Sequence, residues 1–344
     1  MDRDRRSDAG DAAAGTARAD RIDLSVAVNR SPWPVADLPP PVRDTPAARA
    51  TAADRLTGIA AGRFGCLPSQ IRMVADDNRA VLSRIARLLP AGRAAVIAPG
   101  RDPYAHSLRA AGWRVCPVPT PLVMAGADLA VVVNPNAQDG RAWQTGDLIG
   151  LARHVGHLIV DEGLADARPD LSLSPALPPN ALILRNLRAF WGLAGLRLGL
   201  VVAHPGLLAR LSDEPAPDES ALRIAALAMA DRTWTGDTIL YLAEAALRLD
   251  RMATAAGWRV AGGTHLFRFY DTPDAAAAQR HLAHSRIRVQ RFRWSDLRLR
   301  LAIPRGRDEW DRLGDSLRKI QAGAPSQRQW RCPGFPSRAA LCNV

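Results

Sequence analysis

Short apolar runs alternate with longer stretches in which apolar residues return every three or four positions, and this alternation dominates the middle of the chain. Runs at residues 94–98, 114–118, 129–134, 158–161, 181–185 and 198–203 read as strands. Helical spacing at about 104–111 and 146–155 falls between them, and Ala-rich patterns predict two more helices at 45–64 and 80–89. Strands this short and this uniformly apolar are buried on both faces. The pattern therefore predicts an α/β fold, with a mostly parallel sheet flanked by helices. In such sheets ligands sit beyond the carboxyl ends of the strands.

The texture changes after about residue 205. Two long amphipathic helices are predicted at 221–230 and 238–256, followed by strands at 264–270, 287–292 and 297–303 and a last helix at 307–320. This describes a smaller α+β domain. The expected organisation is a disordered tail at 1–20, a Pro-rich extended arm at 21–45 that is neither helix nor strand, a large domain at 46–205, a small domain at 206–321 and a disordered tail at 322–344.

Composition narrows the class. With 47% hydrophobic and 23% charged residues the chain is globular, and 344 residues suffice for about two domains. Its four cysteines form no CxxC pair, which argues against a disulfide scaffold and a thiolate zinc site. No apolar run approaches the roughly 18 residues of a membrane span, and residues 1–20 lack the apolar core of a secretory signal, so a cytoplasmic protein is expected. The net charge of +12 comes almost wholly from arginine, since Lys319 is the sole lysine. The arginines are spread along the chain, denser only between Arg286 and Arg307, without the stripe and aromatic platforms of a nucleic-acid surface. The lysine count matters more. Any chemistry that needs a lysine amine has one candidate.

Three segments carry candidate chemistry. NPNAQDG (134–140) follows a strand and reads first as a turn; IVDEG (159–163) ends a buried strand with Asp161 at its carboxyl edge, where an acid is often a helix N-cap. GLAGLRLG (192–199) precedes a strand and has the wrong glycine spacing for a dinucleotide fingerprint; Arg197 within it is a candidate anion ligand.

In this order and spacing, from about Asp23 to Leu317, the chain resembles fold-type I pyridoxal-phosphate enzymes, in particular the threonine-phosphate decarboxylases of cobalamin biosynthesis, relatives of the histidinol-phosphate aminotransferases. DLSVAVNRSPWPV (23–35) resembles the arm that covers the substrate, which implies a substrate-binding role for Asn29. PGRDPYAHSLRAAGW (99–113) resembles the segment whose tyrosine, here Tyr104, stacks on the pyridine ring. LRNLRAFWGLAGLRLG (184–199) resembles the cofactor-anchoring segment, GGTHLFRF (262–269) a small-domain strand, and LRLAIP (299–304) the strand with a carboxylate-binding arginine, here Arg300. The resemblance implies pyridoxal 5′-phosphate as cofactor, Asp161 against its ring nitrogen, Arg197 toward its phosphate, Asn186 where a phosphate-binding serine is usual, a small phosphorylated amino-acid ligand and a homodimer, with neither nucleic acid nor membrane as partner. An acid on the pyridine nitrogen keeps it protonated, so the ring can accept electrons.

The departures decide the functional expectation. The Schiff-base lysine position is Ala189, so no catalytic residue is retained there. The asparagine that bonds the ring hydroxyl falls at Ala137, with Asn136 its near neighbour, and the tyrosine for the same hydroxyl falls at Leu164. The phosphate loop carries Asp76, Asp77 and Asn78, and its carboxylates repel a phosphate unless turned away. The sequence therefore predicts a degenerate, non-catalytic relative, with an active decarboxylase or aminotransferase, or a scaffold partner, as the alternatives.

Overall fold

The computed structural model describes residues 20–35, 44–100, 102–211 and 216–323. The chain enters through a two-residue strand, β1 (Ile22–Asp23), and continues into helix α1 (Pro46–Phe64), which Thr45 caps by accepting from the Ala48 amide at 3.2 Å. Six further elements then alternate: β2 (Ile71–Val74), α2 (Asn78–Leu88), β3 (Arg93–Ile97), α3 (Asp102–Ala110), β4 (Arg114–Val118) and β5 (Leu129–Val133). After α4 (Thr145–Ala152) come β6 (His157–Asp161), β7 (Ala181–Asn186) and β8 (Gly199–Ala203).

These strands make one seven-stranded sheet in the order β2-β8-β7-β6-β5-β3-β4. From β4 to β7 every pairing is parallel, whereas β8 runs antiparallel to both its neighbours. Side chains alternate across it. Ala130 and Val132 of β5 face one core, with α1 and α4, while Leu129, Val131 and Val133 face the other, with α2 and α3. Both faces are covered, as the uniformly apolar runs predict. No helix among the described residues is long and apolar enough to cross a membrane.

Helices α5 (Glu219–Ala230) and α6 (Arg232–Ala255) lead to the smaller unit, and α5 lies against α1, where alanines on both helices allow close approach. That unit is an antiparallel sheet in the order β12-β13-β10-β9, built from β9 (Arg259–Gly263), β10 (Phe267–Asp271), β12 (Gln290–Phe292) and β13 (Ser295–Ala302). Helix α7 (Ala275–His284) and the last helix, α8 (Gly306–Gly323), cover it, and the short β11 (Ile287–Arg288) pairs in parallel with β1.

The structure corrects four expectations. β2 and β9 are strands that the apolar pattern did not reveal, because IRMV is only half buried and RVAGG carries almost no apolar residue. The arm contains strand β1, held by the backbone of Arg286 and Arg288, while residues 36–43 lie outside the described residues. α6 begins at Arg232, six residues before the predicted 238, because Asp231 caps it by accepting from the Trp234 amide at 2.9 Å. The run expected as one strand at 287–292 is broken into β11 and β12. The tails expected at 1–20 and 322–344 fall outside the described residues except at their inner ends. Asp20 accepts from Arg312 Nη2 at 2.8 Å, and α8 continues to Gly323.

Candidate functional site

β5, β6 and β7 are adjacent and parallel, so Val133, Asp161 and Asn186 bring three strand ends together at one cleft of about 560 Å³. The turn before α2, the arm and the segment from Asn186 to Leu198 complete its walls. Asp161 lies buried at the floor. Its Oδ1 accepts from Asn78 Nδ2 at 2.6 Å and from the Gly163 amide at 3.0 Å, and its Oδ2 accepts from the Tyr104 hydroxyl at 2.6 Å. Gly163 is required for this closure. A Cβ there would stand 2.6 Å from Asn186 Nδ2 and 3.1 Å from Asp161 Oδ1.

The next side chain along, Glu162, anchors the floor from behind. It accepts from Arg185 Nη1 and Ser172 Oγ, both at 2.7 Å, and from the Leu173 amide at 2.7 Å; Arg185 also donates to Asp166 at 3.0 Å. The Arg185 guanidinium stands 4.3 Å from the centre of the Phe64 ring. Complete burial pushes the Glu162 carboxyl upward, against the opposing pull of Arg185 and the donated hydrogen bonds. A buried charge set of this kind fixes the ends of β6 and β7 relative to one another.

Of the residues singled out in the sequence, Asp161, Asn186, Ala189, Arg197 and Arg300 line the cleft together. Tyr104 is not among its lining. It is 1% exposed, packed in the core with α2 and α3, and its hydroxyl donates to Asp161. Asn29 is also turned inward: its Nδ2 donates to the Phe190 carbonyl at 3.0 Å, its Oδ1 accepts from the Ser31 amide at 2.9 Å, and its own amide donates to the Ala189 carbonyl at 2.7 Å. Its observed task is to fasten the arm to the anchor segment. Arg300 is 8% exposed and donates to the Ala137 carbonyl at 2.8 Å and the Ser25 carbonyl at 2.6 Å, so it braces the arm against the loop after β5. Asn136 cannot replace Ala137, because its buried amide donates to the Pro99 carbonyl at 2.9 Å. Lys319 is exposed near the end of α8 and does not line the cleft.

The outer end of the cleft was less legible. Asp76 is turned aside to Arg84 at 3.0 Å, and Asp77 caps α2 by accepting from the Ala80 amide at 2.9 Å. Asn186 Oδ1 accepts from the Arg188 amide at 2.9 Å. Arg79 and Arg188 line the cleft beside Arg197, and sequence reasoning passed over both, since nothing in an arginine-rich chain distinguishes them without coordinates.

Two relatives match nearly the whole chain. The threonine-phosphate decarboxylase of Pseudomonas aeruginosa is 30% identical over 310 residues, 87% of this chain and 92% of that protein. The threonine-phosphate decarboxylase of a Sinorhizobium species is 32% identical over 322 residues, 88% of this chain and 93% of that protein. Among solved structures, the histidinol-phosphate aminotransferase of Sinorhizobium meliloti in complex with pyridoxal-5′-phosphate superposes with a TM-score of 0.74 at 18% identity, over 90% of this chain and 94% of that one. No protein-family model matches the chain.

Proposed function

The chain belongs to the family of the threonine-phosphate decarboxylases and histidinol-phosphate aminotransferases, and from that premise we propose that it is a degenerate threonine-phosphate decarboxylase-like protein of cobalamin biosynthesis that does not run the lysine-dependent cycle. The observation that carries this reading is Ala189. It lines the cleft that Asp161 floors, while the sole lysine lies elsewhere on α8.

The cleft fits pyridoxal phosphate as a ligand held without a covalent bond. Its volume is in the range of small-molecule sites, and the buried Asp161 carboxylate offers an acceptor for the ring nitrogen. When bound, the cofactor supplies a ring that accepts electrons from the substrate. Asp161 is oriented by Asn78 and the Gly163 amide, and Arg197 offers charge to a phosphate. Arg300, through Ser25 and Ala137, keeps the arm against the cleft and limits entry of water. Ala189 contributes neither an amine to link a cofactor nor a base to carry a proton at the substrate's α-carbon. A small phosphorylated amino acid as ligand and a homodimer as assembly belong to the same reading, and so does a scaffolding role.

Survival of the complete hydrogen-bond set around Asp161 favours a second reading. This is an active enzyme with non-covalent cofactor, converting L-threonine O-3-phosphate to (R)-1-aminopropan-2-yl phosphate and carbon dioxide. The test is carbon dioxide release from L-threonine O-3-phosphate with pyridoxal phosphate in excess. The first reading predicts release no faster than with cofactor alone. Release above that background, lost in Asp161→Asn, would put the enzyme in its place.

A further inference from the structure

The anion end of the cleft has few backbone donors left to offer. Helix N-termini and tight turns hold anions through free amides, and three such turns border this cleft. In each, a side-chain oxygen of the chain already takes the amide. The Ala80 amide donates to Asp77 at 2.9 Å, the Asp77 amide to Asp76 at 3.0 Å, the Gly163 amide to Asp161 at 3.0 Å and the Arg188 amide to Asn186 at 2.9 Å. What remains is the pair of first-turn amides of α2, at Asn78 and Arg79, together with arginine. Arg300 is braced on two carbonyls, whereas Arg79, Arg188 and Arg197 line the cleft, are exposed and pair with no carboxylate among the described residues. Arg79 stands two residues after Asp77, whose carboxylate caps the same helix, so part of its field is cancelled. Arg188 has only neutral neighbours in its turn, Asn186, Leu187 and Ala189.

We propose that Arg188 is a phosphate-gripping residue of this cleft, a guanidinium that works beside Arg197 where four of the bordering backbone amides are already taken. The proposal rests on the reading of the cleft as a cofactor or phospho-ligand site and names the group that discriminates the phosphate. A guanidinium offers paired donors to two phosphate oxygens. Because the side chain is exposed, its hold on a ligand weakens with salt.

The test uses pyridoxine 5′-phosphate and pyridoxine, which share a ring and carry no aldehyde, in equilibrium dialysis against the full chain. Wild type binds the phosphate ester at least about tenfold tighter than the alcohol, the size expected of one charge-assisted contact. Arg188→Ala removes about tenfold from the ester and leaves pyridoxine within twofold. Arg188→Lys recovers part of the loss as a point charge, and raising the salt narrows the wild-type preference. The thermal midpoint of Arg188→Ala stays at the wild-type value, because its exposed guanidinium makes no hydrogen bond or ion pair among the described residues. An unchanged ester-to-alcohol ratio in Arg188→Ala overturns the role of Arg188 alone. Equal affinity of wild type for the two ligands does the same, while leaving the cleft as a ring-binding site. If neither ligand binds wild type, both this role and the cofactor part of the functional reading fall.

Discussion

At its floor the cleft is built from buried groups that satisfy one another: Asp161 with Asn78, Tyr104 and the Gly163 amide, and behind it Glu162 with Arg185 and Ser172. At its outer end Arg79, Arg188 and Arg197 are exposed, the carboxylates of Asp76 and Asp77 are spent on a guanidinium and a helix cap, and the buried Ala189 presents a methyl group. The two regions are joined at Gly163 and belong to the same three strand ends, yet they differ in what they do for the fold. The floor also holds the sheet together, so changing it costs stability. The exposed arginines of the outer end carry no such duty, and of its carboxylates Asp77 only caps α2. On the reading proposed above, a chain relieved of turnover keeps the first for stability and is free to change the second.

The comparison breaks most visibly behind the floor. Arg185→Ala leaves the Glu162 and Asp166 carboxylates buried without their cation, and is expected to cost about 3–5 kcal/mol in denaturant unfolding. A loss near that of an exposed ion pair, below about 1 kcal/mol, would mean the network does not hold the strand ends. At the joint, Gly163→Ala forces the Asn186 amide to move, with an expected cost of about 1–3 kcal/mol and weaker binding of any ring ligand at Asp161. At the cleft wall, Ala189→Lys is expected to form a reducible link to pyridoxal phosphate. It will still not release carbon dioxide at the rate of an intact relative, because Ala137, Asn186 and Asp77 remain. Full turnover by that single variant would show that only the amine was missing.

The smallest effect is one of pH. Burial holds the His265 imidazole below its ordinary value, with Arg168 and Arg268 adding to the depression, and burial does the same at His157. The unfolded chain therefore binds more protons than the folded one below pH 6.5. Stability from these groups is full above that pH and is lost as pH falls through the depressed folded values. The thermal midpoint of wild type should drop between pH 7.5 and 5, and His265→Gln should reduce the drop. An identical pH profile would assign the loss to other groups.

Much of the large domain was legible because its strands are short apolar runs buried on both faces, a pattern that needs no partner to interpret. β2 and β9 were hidden, since an edge strand with half-buried residues and a glycine-rich strand leave no such run. Within the site, residue identities were readable, and Asp161 and Arg197 line the cleft. The destinations of hydrogen bonds were not. Tyr104, Asn29 and Arg300 are polar groups whose partners lie 57, 161 and 163 or more positions away, and no local pattern encodes that the chain itself consumes them.

The central claim is that this family member holds its cofactor without a covalent bond. It is tested most directly by incubating the protein with pyridoxal phosphate, reducing with borohydride and measuring the intact mass, with the Ala189→Lys variant alongside. The account predicts the unmodified mass for wild type and one added pyridoxyl phosphate for the variant. A stoichiometric adduct on wild type, mapped to Lys319, would contradict it.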